Sequence, residues 1–268
     1  VNASTDDYVA WCWKAGGAAV SNTDGALTSQ VSVNQAAGFS IASYTTPGTA
    51  TNFGHGLGKK PAFALFKAKN DTGNWAVYHQ SLGTNTIRLS TTDAQDTSAD
   101  AFNSTAPTDT LMYLGTWAGT NGSNVNWVSY LWSEIEGFSK FGSYTGNGNA
   151  DGPFVYCGFK PAWIMIKPYG SPSDSCYSGG YTSWSIYDSS RSPVNNATMH
   201  ERVLFANRNY AEGKRGNGAS SGAFQNLDFV SNGFKIRGNS NCETNTTSIN
   251  GFIFAAFAES PFQTANAK

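Results

Sequence analysis

The sequence predicts an all-β fold made of two tandem β-sandwich units, of the jelly-roll or lectin-like type. Its apolar residues recur at every second position in short runs, which are bounded by turn-forming glycine, asparagine, aspartate and proline. No amphipathic stretch of the ~10 to 15 residues that a connecting helix needs separates these runs. The chain also repeats itself at a spacing of about one hundred residues. These observations favour antiparallel sheets over a parallel α/β architecture.

The internal repeat joins residues 38–63 to residues 137–163. Both segments begin with Gly-Phe-Ser, continue with Ser-Tyr-Thr and close on Lys-Pro-Ala followed by an aromatic residue. Two copies predict two units, and the 268-residue chain gives each of them ~100 to 125 residues, which is enough to bury a core. We therefore place the first β-sandwich repeat at residues 38–136. The second spans residues 137–268 and includes a C-terminal tail.

The segment before the first repeat needs a separate interpretation. Residues 9–13 align without gaps with residues 128–132 and 253–257, the closing strand of each unit. We therefore expect residues 1–37 to hold the last strand of a truncated preceding unit and a linker with one added strand at 27–33. The opening strand carries large apolar side chains, so it must pair with a sheet of its own chain or of a neighbour. We favour pairing within its own chain.

Seven strand candidates fall in the first unit, a number typical of sandwiches. They lie near residues 39–45, 51–56, 62–68, 74–79, 86–90, 110–115 and 126–133. Residues 62–66 and 162–166 are continuously apolar, as expected of a central strand that is covered on both faces. A short helix is predicted near residues 93–102.

Composition and charge exclude several classes of partner. The chain is 40% hydrophobic and 14% aromatic, which excludes disorder, and only 13% of its residues are charged. A net charge of -1 without a basic run argues against nucleic-acid and anionic-membrane partners, because both attract clustered lysine and arginine. No apolar run reaches the ~20 residues of a membrane-spanning helix. We therefore predict no nucleic-acid partner and no membrane insertion.

The four cysteines fall into two kinds. Cys12 and Cys157 stand in strand-like runs and are predicted to be small buried residues. Cys176 and Cys242 lie in polar loops of the second unit and have no counterpart in the first, and we predict a disulfide bond between them. A Cα separation above about 7 Å would exclude that bond. No spacing typical of zinc ligands occurs, and we predict no metal and no cofactor.

No residue set typical of catalysis stands out, and we predict that the chain is not an enzyme. The repeat replaces His55 and His79 by other residue types, so both are predicted to be surface residues rather than general bases. Glu134 and Glu259 occupy equivalent places in the two copies, so they predict two separated carboxylates instead of one catalytic pair. Three aspartates within residues 93–100 lack the glycine and terminal glutamate of an EF-hand, although a calcium-binding loop there stays an alternative.

Stacking on aromatic rings is the remaining candidate chemistry, because loop tyrosine and tryptophan side chains combine an apolar face with a polar edge that suits sugars. Aromatic residues that recur in both copies, such as Trp75 and Trp184, are predicted to belong to the core. Aromatic residues found in one copy only are the candidate ligand-binding residues: Trp117, Tyr169, Tyr177, Tyr181 and Tyr210.

An extended pattern of phrases runs through nearly the whole chain: residues 8–17, 38–41, 54–58, 136–148, 151–156 and 256–262. In these phrases the chain resembles a repeat-domain family of structural proteins from tailed, particularly marine, bacteriophages. Such domains commonly form the C-terminal part of tail-fibre-like and virion structural proteins. The resemblance implies a virion-associated, extracellular and non-enzymatic protein, and it transfers no catalytic or binding residue.

From the repeat and the resemblance we expect a homo-oligomer, a trimer or larger, that has other virion proteins as partners. It would display loops for weak multivalent attachment to host-surface glycans. The insert at residues 168–182 of the second copy would carry specificity. A purely structural role in a fibre shaft stays open. The alternative is a secreted or virion carbohydrate-active enzyme or its carbohydrate-binding module, which predicts two carboxylates ~5 to 10 Å apart in an aromatic cleft.

Overall fold

A computed structural model gives the fold of the chain. It describes residues 8–170, 176, 182–191, 195, 202–210, 212, 227–237, 242–249 and 251–260. Over these residues the protein is mostly β and contains two larger antiparallel sheets and two smaller ones. No helix in this part of the chain is long and apolar enough to cross a membrane.

Nine strands lie within residues 20–132. They are β1 (Val20–Asn22), β2 (Ser29–Asn34), β3 (Phe39–Thr46), β4 (Thr51–Gly54), β5 (Phe63–Ala68), β6 (Ala76–His79), β7 (Ile87–Arg88), β8 (Leu111–Leu114) and β9 (Val125–Trp132). Seven of them form one sheet in the order β1-β2-β3-β9-β5-β6-β7, while β4 and β8 pair with each other. A 3₁₀ turn at Gln80–Leu82 follows β6, and the one-turn helix α1 (Ala118–Asn121) precedes β9.

The second half of the chain follows a corresponding order. Its described strands are β10 (Ser139–Tyr144), β11 (Phe154–Tyr156), β12 (Pro161–Pro168), β13 (Ser185–Asp188), β14 (Leu204–Phe205), β15 (Leu227–Val230), β16 (Gly233–Ile236) and β17 (Phe252–Ala258). A five-stranded sheet has the order β10-β17-β12-β13-β14, and β11-β16-β15 form a separate three-stranded sheet. The strands from β3 onward in the first half have the same order, β3-β9-β5-β6-β7. Counted from β3 and from β10, each sheet places the last strand between its first and third strands, followed by the fourth and fifth.

Two hydrophobic cores each lie between a large and a small sheet. The first core joins the seven-stranded sheet to the β4–β8 pair and includes Phe66 from β5 and Phe53 from β4. The second core joins the five-stranded sheet to the three-stranded sheet and includes Phe254 from β17 and Phe234 from β16. Each fully buried side chain of this size contributes about 1.5 to 3 kcal/mol of stability.

A third hydrophobic core lies between the two large sheets, and we call it the intersheet core. Phe63 and Trp132 enter it from the seven-stranded sheet, while Trp163 and Phe257 enter it from the five-stranded sheet. Between the two sheets, the ring of Phe63 stacks on that of Phe141 from β10, with ring centroids 5.7 Å apart. The two halves of the chain are therefore joined by packed aromatic rings.

Both faces of the central strands are covered, which explains their continuous apolar sequence. In β12, Ile164 and Ile166 face the second core, whereas Trp163 and Met165 face the intersheet core. The strand lies between β17 and β13, so its backbone groups are also paired on both sides. The sequence-based expectation of a central strand at residues 162–166 is confirmed.

The prediction that the chain opens with a strand at residues 9–13 is wrong. Residues 8–15 join no sheet, yet the predicted alternation of side chains holds, because Trp11 and Trp13 pack against the intersheet core while Cys12 is exposed. The Trp13 ring lies 5.9 Å from that of Trp132 and 5.3 Å from that of Phe257. The segment is thus held by aromatic side chains that contact both large sheets, and the expectation of a buried Cys12 is wrong for the same reason.

Residues 16–37 are more than a linker, because they supply β1 and β2 to the seven-stranded sheet. Strand β2 pairs with β3 from Gln30↔Ser43 to Asn34↔Phe39. The predicted added strand at 27–33 is therefore confirmed within a residue or two at each end, and β1 is an additional strand.

The predicted helix at residues 93–102 does not form. The Asp96 carboxylate accepts hydrogen bonds from the backbone N–H groups of Ser98 and Ala99, at 3.0 and 3.2 Å. This local turn competes with helical hydrogen bonding, as aspartate commonly does. Asp96 and Thr86 also form an isolated antiparallel bridge, which holds the segment against the end of the sheet.

Trp13→Ala is expected to lower the free energy of unfolding by about 2 kcal/mol, because it removes a half-buried ring that contacts both large sheets. Cys12→Ala is the matched control, since its side chain projects from the same segment into solvent, and it should change stability by less than about 0.5 kcal/mol. Guanidinium denaturation followed by far-UV circular dichroism measures both. Equal midpoints for the two variants would contradict the bridging role of Trp13.

Candidate binding surface

The predicted ligand-binding aromatics are half-buried packing residues where the structure describes them. Trp117 directly precedes α1 and packs against the first core. The guanidinium carbon of Arg88 lies 5.5 Å from its ring centroid, a cation–π contact. One face of Trp117 is thus taken by the protein itself.

Tyr169 and Tyr210 are held in the same way. Tyr169 packs against the intersheet core and covers Gly251, where an added Cβ would lie 2.6 Å from the tyrosine hydroxyl. Tyr210 packs edge-on against Phe205 at 6.3 Å, and the Arg208 guanidinium lies 5.4 Å from its ring centroid. Trp117, Tyr169 and Tyr210 pack against three different cores, so the structure does not bring them together as one site.

Tyr177 and Tyr181 lie outside the described residues. The disulfide expected in the same part of the second half is present: Cys176 and Cys242 are bonded, and their Cα atoms are 5.5 Å apart. Cys157 is buried, as predicted, and burial raises its thiol pKa to about 12. That thiol stays protonated at neutral pH, as expected of an inert core cysteine.

The expectation that His55 and His79 are surface residues is wrong, because both are fully buried. Each Nδ1 accepts a backbone N–H from two residues further on, at Leu57 and Ser81, so the proton sits on Nε2. The Nε2 of His79 donates to the carbonyl of Phe254 at 3.1 Å and so links the two halves of the chain. A residue type that differs between the two copies of the repeat can still be buried, so the difference did not predict whether these histidines are exposed.

The electrostatics of both histidines follow from this burial. Desolvation lowers the pKa of His55 to about 4 and that of His79 to about 4, against the partial compensation of their carbonyl acceptors. Both imidazoles are therefore neutral at physiological pH and already use both ring nitrogens. Their arrangement is structural.

The candidate carboxylates are engaged in ion pairs. Glu134 contacts Lys140 at 2.6 Å, and Glu259 contacts Lys160 at 2.8 Å. The guanidinium of Arg88 reaches both Asp93 and Asp96. Within the described part of the chain, no group of three or more histidine, cysteine, aspartate or glutamate side chains could hold a metal ion.

A buried lysine lies where the two halves meet. Lys167 is fully buried, and its Nζ donates to the carbonyl of Thr182 at 2.5 Å. Burial lowers its pKa to about 7, while the nearby carboxylates of Asp93 and Glu243 oppose the decrease and Arg208 adds to it. Thr182 in turn donates to the carbonyl of Thr92 in the first half. Since the amine is shielded from solvent, we interpret this cluster as part of the packing.

The exposed aromatic side chains lie elsewhere, on β11. Phe154 and Tyr156 are 47% and 62% exposed, whereas Val155 between them is buried in the second core. Strand β11 is an edge of the three-stranded sheet and pairs there with β16. Two large aromatic side chains therefore stand side by side on the outer face of this sheet.

Charged side chains occupy the part of that outer face beside Phe154. Across the sheet, Phe154 pairs with Lys235 on β16, and Lys235 pairs on its other side with Asp228 on β15. Lys235 contacts Asp151 at 2.7 Å, and Arg237 contacts Asp228 at 2.6 Å. We call Phe154, Tyr156 and these four charged residues the β11 surface.

Sequence reasoning missed Phe154 and Tyr156, although its own criterion selects them. Aligning His55 with Val155 puts glycines of the first copy, Gly54 and Gly56, opposite the two aromatic residues. Both are thus found in one copy only. A criterion restricted to loops does not find them, because both residues stand on an edge strand.

We expect the free energy of unfolding to fall by about 4 kcal/mol between pH 7 and pH 5, about 2 kcal/mol from each buried histidine. The folded pKa of each lies below its unfolded value, so between pH 6.5 and pH 4 the unfolded state binds more protons and stability is lost as pH falls. Denaturant titrations at both pH values measure this. In His79→Gln the loss should halve, and an undiminished loss would contradict the assignment.

Two aspartates do not disturb that measurement. A hydrogen bond from Ser98 lowers the pKa of Asp96, and one from Lys235 lowers the pKa of Asp151. Both carboxylates stay ionised above pH 5, so they add nothing to the slope in this window. The buried amine of Lys167, with a folded pKa of about 7, adds a smaller loss of the same sign, which His79→Gln leaves unchanged.

Comparison with known proteins gives a family but no closer relative. No curated protein and no solved structure matches the chain. Residues 1–261 match a domain of unknown function, DUF7483. This match covers the described strands of both halves and the aromatic segment before them, so the chain belongs to the DUF7483 family.

Proposed function

We propose that the chain is a tandem β-sandwich module of a virion appendage, such as the tail fibre of a tailed bacteriophage, that contributes to attachment to host-surface glycans. The phrases that resemble phage structural proteins run through both halves and support the virion location. The low content of charged residues, 13%, fits a surface that meets neutral partners.

Residue pairings support two units related by an internal repeat. In the seven-stranded sheet Phe63 pairs with Trp132 on one side and His79 on the other. In the five-stranded sheet Trp163 pairs with Phe257 and Asp188 in the same way. The strand order of the two sheets also corresponds, so the likeness extends from the sequence to the partners of individual residues.

The observation that carries the proposal is the intersheet core, because it buries the inner faces of both large sheets against each other. Phe63 stacks on Phe141 at 5.7 Å across it, and Trp13 touches both Trp132 and Phe257. A module fused in this way is stiff, and it leaves its loops and its small outer sheets to meet partners. Rigid presentation of an outer surface is what an adhesive appendage needs.

Attachment is tested with the purified chain and host cells. We expect the fluorescently labelled chain to bind cells of the host strain and to lose that binding after periodate oxidation of surface glycans. The mass of the assembly, measured by light scattering, should be three or more times that of the 28.5 kDa chain, because avidity then strengthens weak contacts. Binding that survives periodate would contradict the glycan part of the proposal.

The virion location is tested separately. Antibodies raised against the purified chain should label the tail of intact particles in immunogold electron microscopy. Labelling absent from particles whose lysate contains the protein would contradict a virion appendage, whatever the chain binds.

A further inference from the structure

We propose that the β11 surface is a binding site for a neutral saccharide, whose ring stacks on Phe154 and Tyr156. The inference rests on the proposed attachment function and gives it a location and a ligand class.

Strand geometry places both aromatic side chains on the same face of the sheet. Phe154 and Tyr156 are two positions apart, so they lie on one face about 6.6 Å apart along the strand. Both are exposed, whereas Val155 between them anchors the strand in the second core. Contiguous exposed aromatic side chains on a folded protein typically mark an interaction site. The apolar face of a sugar ring matches such a surface.

The residue beside Tyr156 on the next strand is a buried glycine. Gly233 stands directly opposite Tyr156 on β16, and Val230 follows on β15. A Cβ at Gly233 would lie 2.0 Å from the carbonyl oxygen of Val155, so a side chain there is excluded by the close strand approach. The two strands therefore lie close together beside Tyr156, and no neighbouring side chain from Gly233 stands next to the Tyr156 ring.

The charged residues beside the rings select a neutral ligand. Lys235 and Arg237 are balanced by Asp151 and Asp228, with which they form ion pairs at 2.7 and 2.6 Å. Two cations and two carboxylates leave no net charge, so the site does not attract phosphate or nucleic acid. Ammonium and guanidinium groups donate and carboxylates accept, which together match hydroxyl groups, since each hydroxyl does both.

The first half of the chain covers the corresponding strand. On β4 the Asn52 side chain accepts the backbone N–H of Ala26 at 2.8 Å, and an added Cβ at Gly54 would lie 1.7 Å from the Oδ1 of Asn22. Residues 22–27 thus lie against β4, and this segment has no counterpart in the second copy. Phe154 and Tyr156 of β11 correspond to Gly54, the last residue of β4, and to Gly56 just after it. An open aromatic face is therefore a property of the second half, and the shared strand order does not require it.

The test uses the whole chain and two variants. Phe154→Ala/Tyr156→Ala removes both rings from solvent-exposed positions, and Val20→Ala removes an equally exposed apolar side chain from the edge of the seven-stranded sheet. The probes are affinity gels that contain dextran, mannan, laminarin or agarose, with alginate as the acidic comparison. We expect at least one neutral polymer to retard the wild-type chain, and the double variant to show an apparent Kd at least tenfold higher. Val20→Ala should behave as the wild type.

A third variant keeps the test independent of folding defects. Phe154→Trp/Tyr156→Trp retains flat rings at both positions, so it should keep or strengthen the retardation while Phe154→Ala/Tyr156→Ala loses it. Far-UV circular dichroism and the unfolding midpoint of each variant should match the wild type, because the replaced side chains face solvent.

Three results would overturn the inference. Retardation that the double alanine variant retains places the sugar elsewhere and leaves glycan attachment intact. A wild-type chain that no neutral polymer retards, or that alginate alone retards, removes the neutral-saccharide site, and the cell-binding assay then decides the attachment function by itself. Self-association in sedimentation velocity that the double alanine variant loses assigns the surface to a second copy of the chain, paired through the edge of β11.

Discussion

The packing of the two large sheets against each other is the interaction on which the rest of the structure depends. Hydrogen bonds do not hold its central rings in place, because the indole nitrogens of Trp132 and Trp163 find no hydrogen-bond acceptor in the described part of the chain. That absence costs about 1 to 3 kcal/mol for each ring. Tryptophan is larger than the phenylalanines of the other two cores, and burying about 200 Å² of it at about 25 cal/mol per Å² contributes about 5 kcal/mol. Burial therefore outweighs the lost hydrogen bonds, and packing holds the halves together.

Polar contacts around this core orient the halves rather than hold them. The indole nitrogen of Trp184 donates to the carbonyl of Arg88 at 2.8 Å, and His79 donates to the carbonyl of Phe254 at 3.1 Å. Each joins a side chain of one half to the backbone of the other. A hydrogen bond of this kind contributes about 1 kcal/mol, but its direction permits one relative position of the sheets. Apolar burial thus supplies the energy of the junction, and the backbone acceptors supply its geometry.

Sequence periodicity predicted the strands of the first half within a few residues, because alternation reports which side chains face a core. It failed at Trp11 and Trp13, where the alternation is real but no neighbouring strand accepts the backbone, and periodicity says nothing about the partner. It also failed at His79, whose burial depends on a carbonyl contributed by a strand 175 residues away in the sequence. The exposed aromatics of β11 were missed because exposure was equated with loops, whereas an edge strand also presents every second side chain to solvent.

Burial of the central strands on both faces has a consequence for how this protein can evolve. Even-numbered residues of β5 and β12 face the first or the second core, and odd-numbered ones face the intersheet core. A substitution along either strand therefore disturbs the packing of one of these cores. The outward side chains of the three-stranded sheet, such as Phe154 and Tyr156, do not pack into a hydrophobic core, so changing them disturbs the packing less. Sequence change is thereby directed to a surface that can alter its chemistry while the scaffold stays fixed.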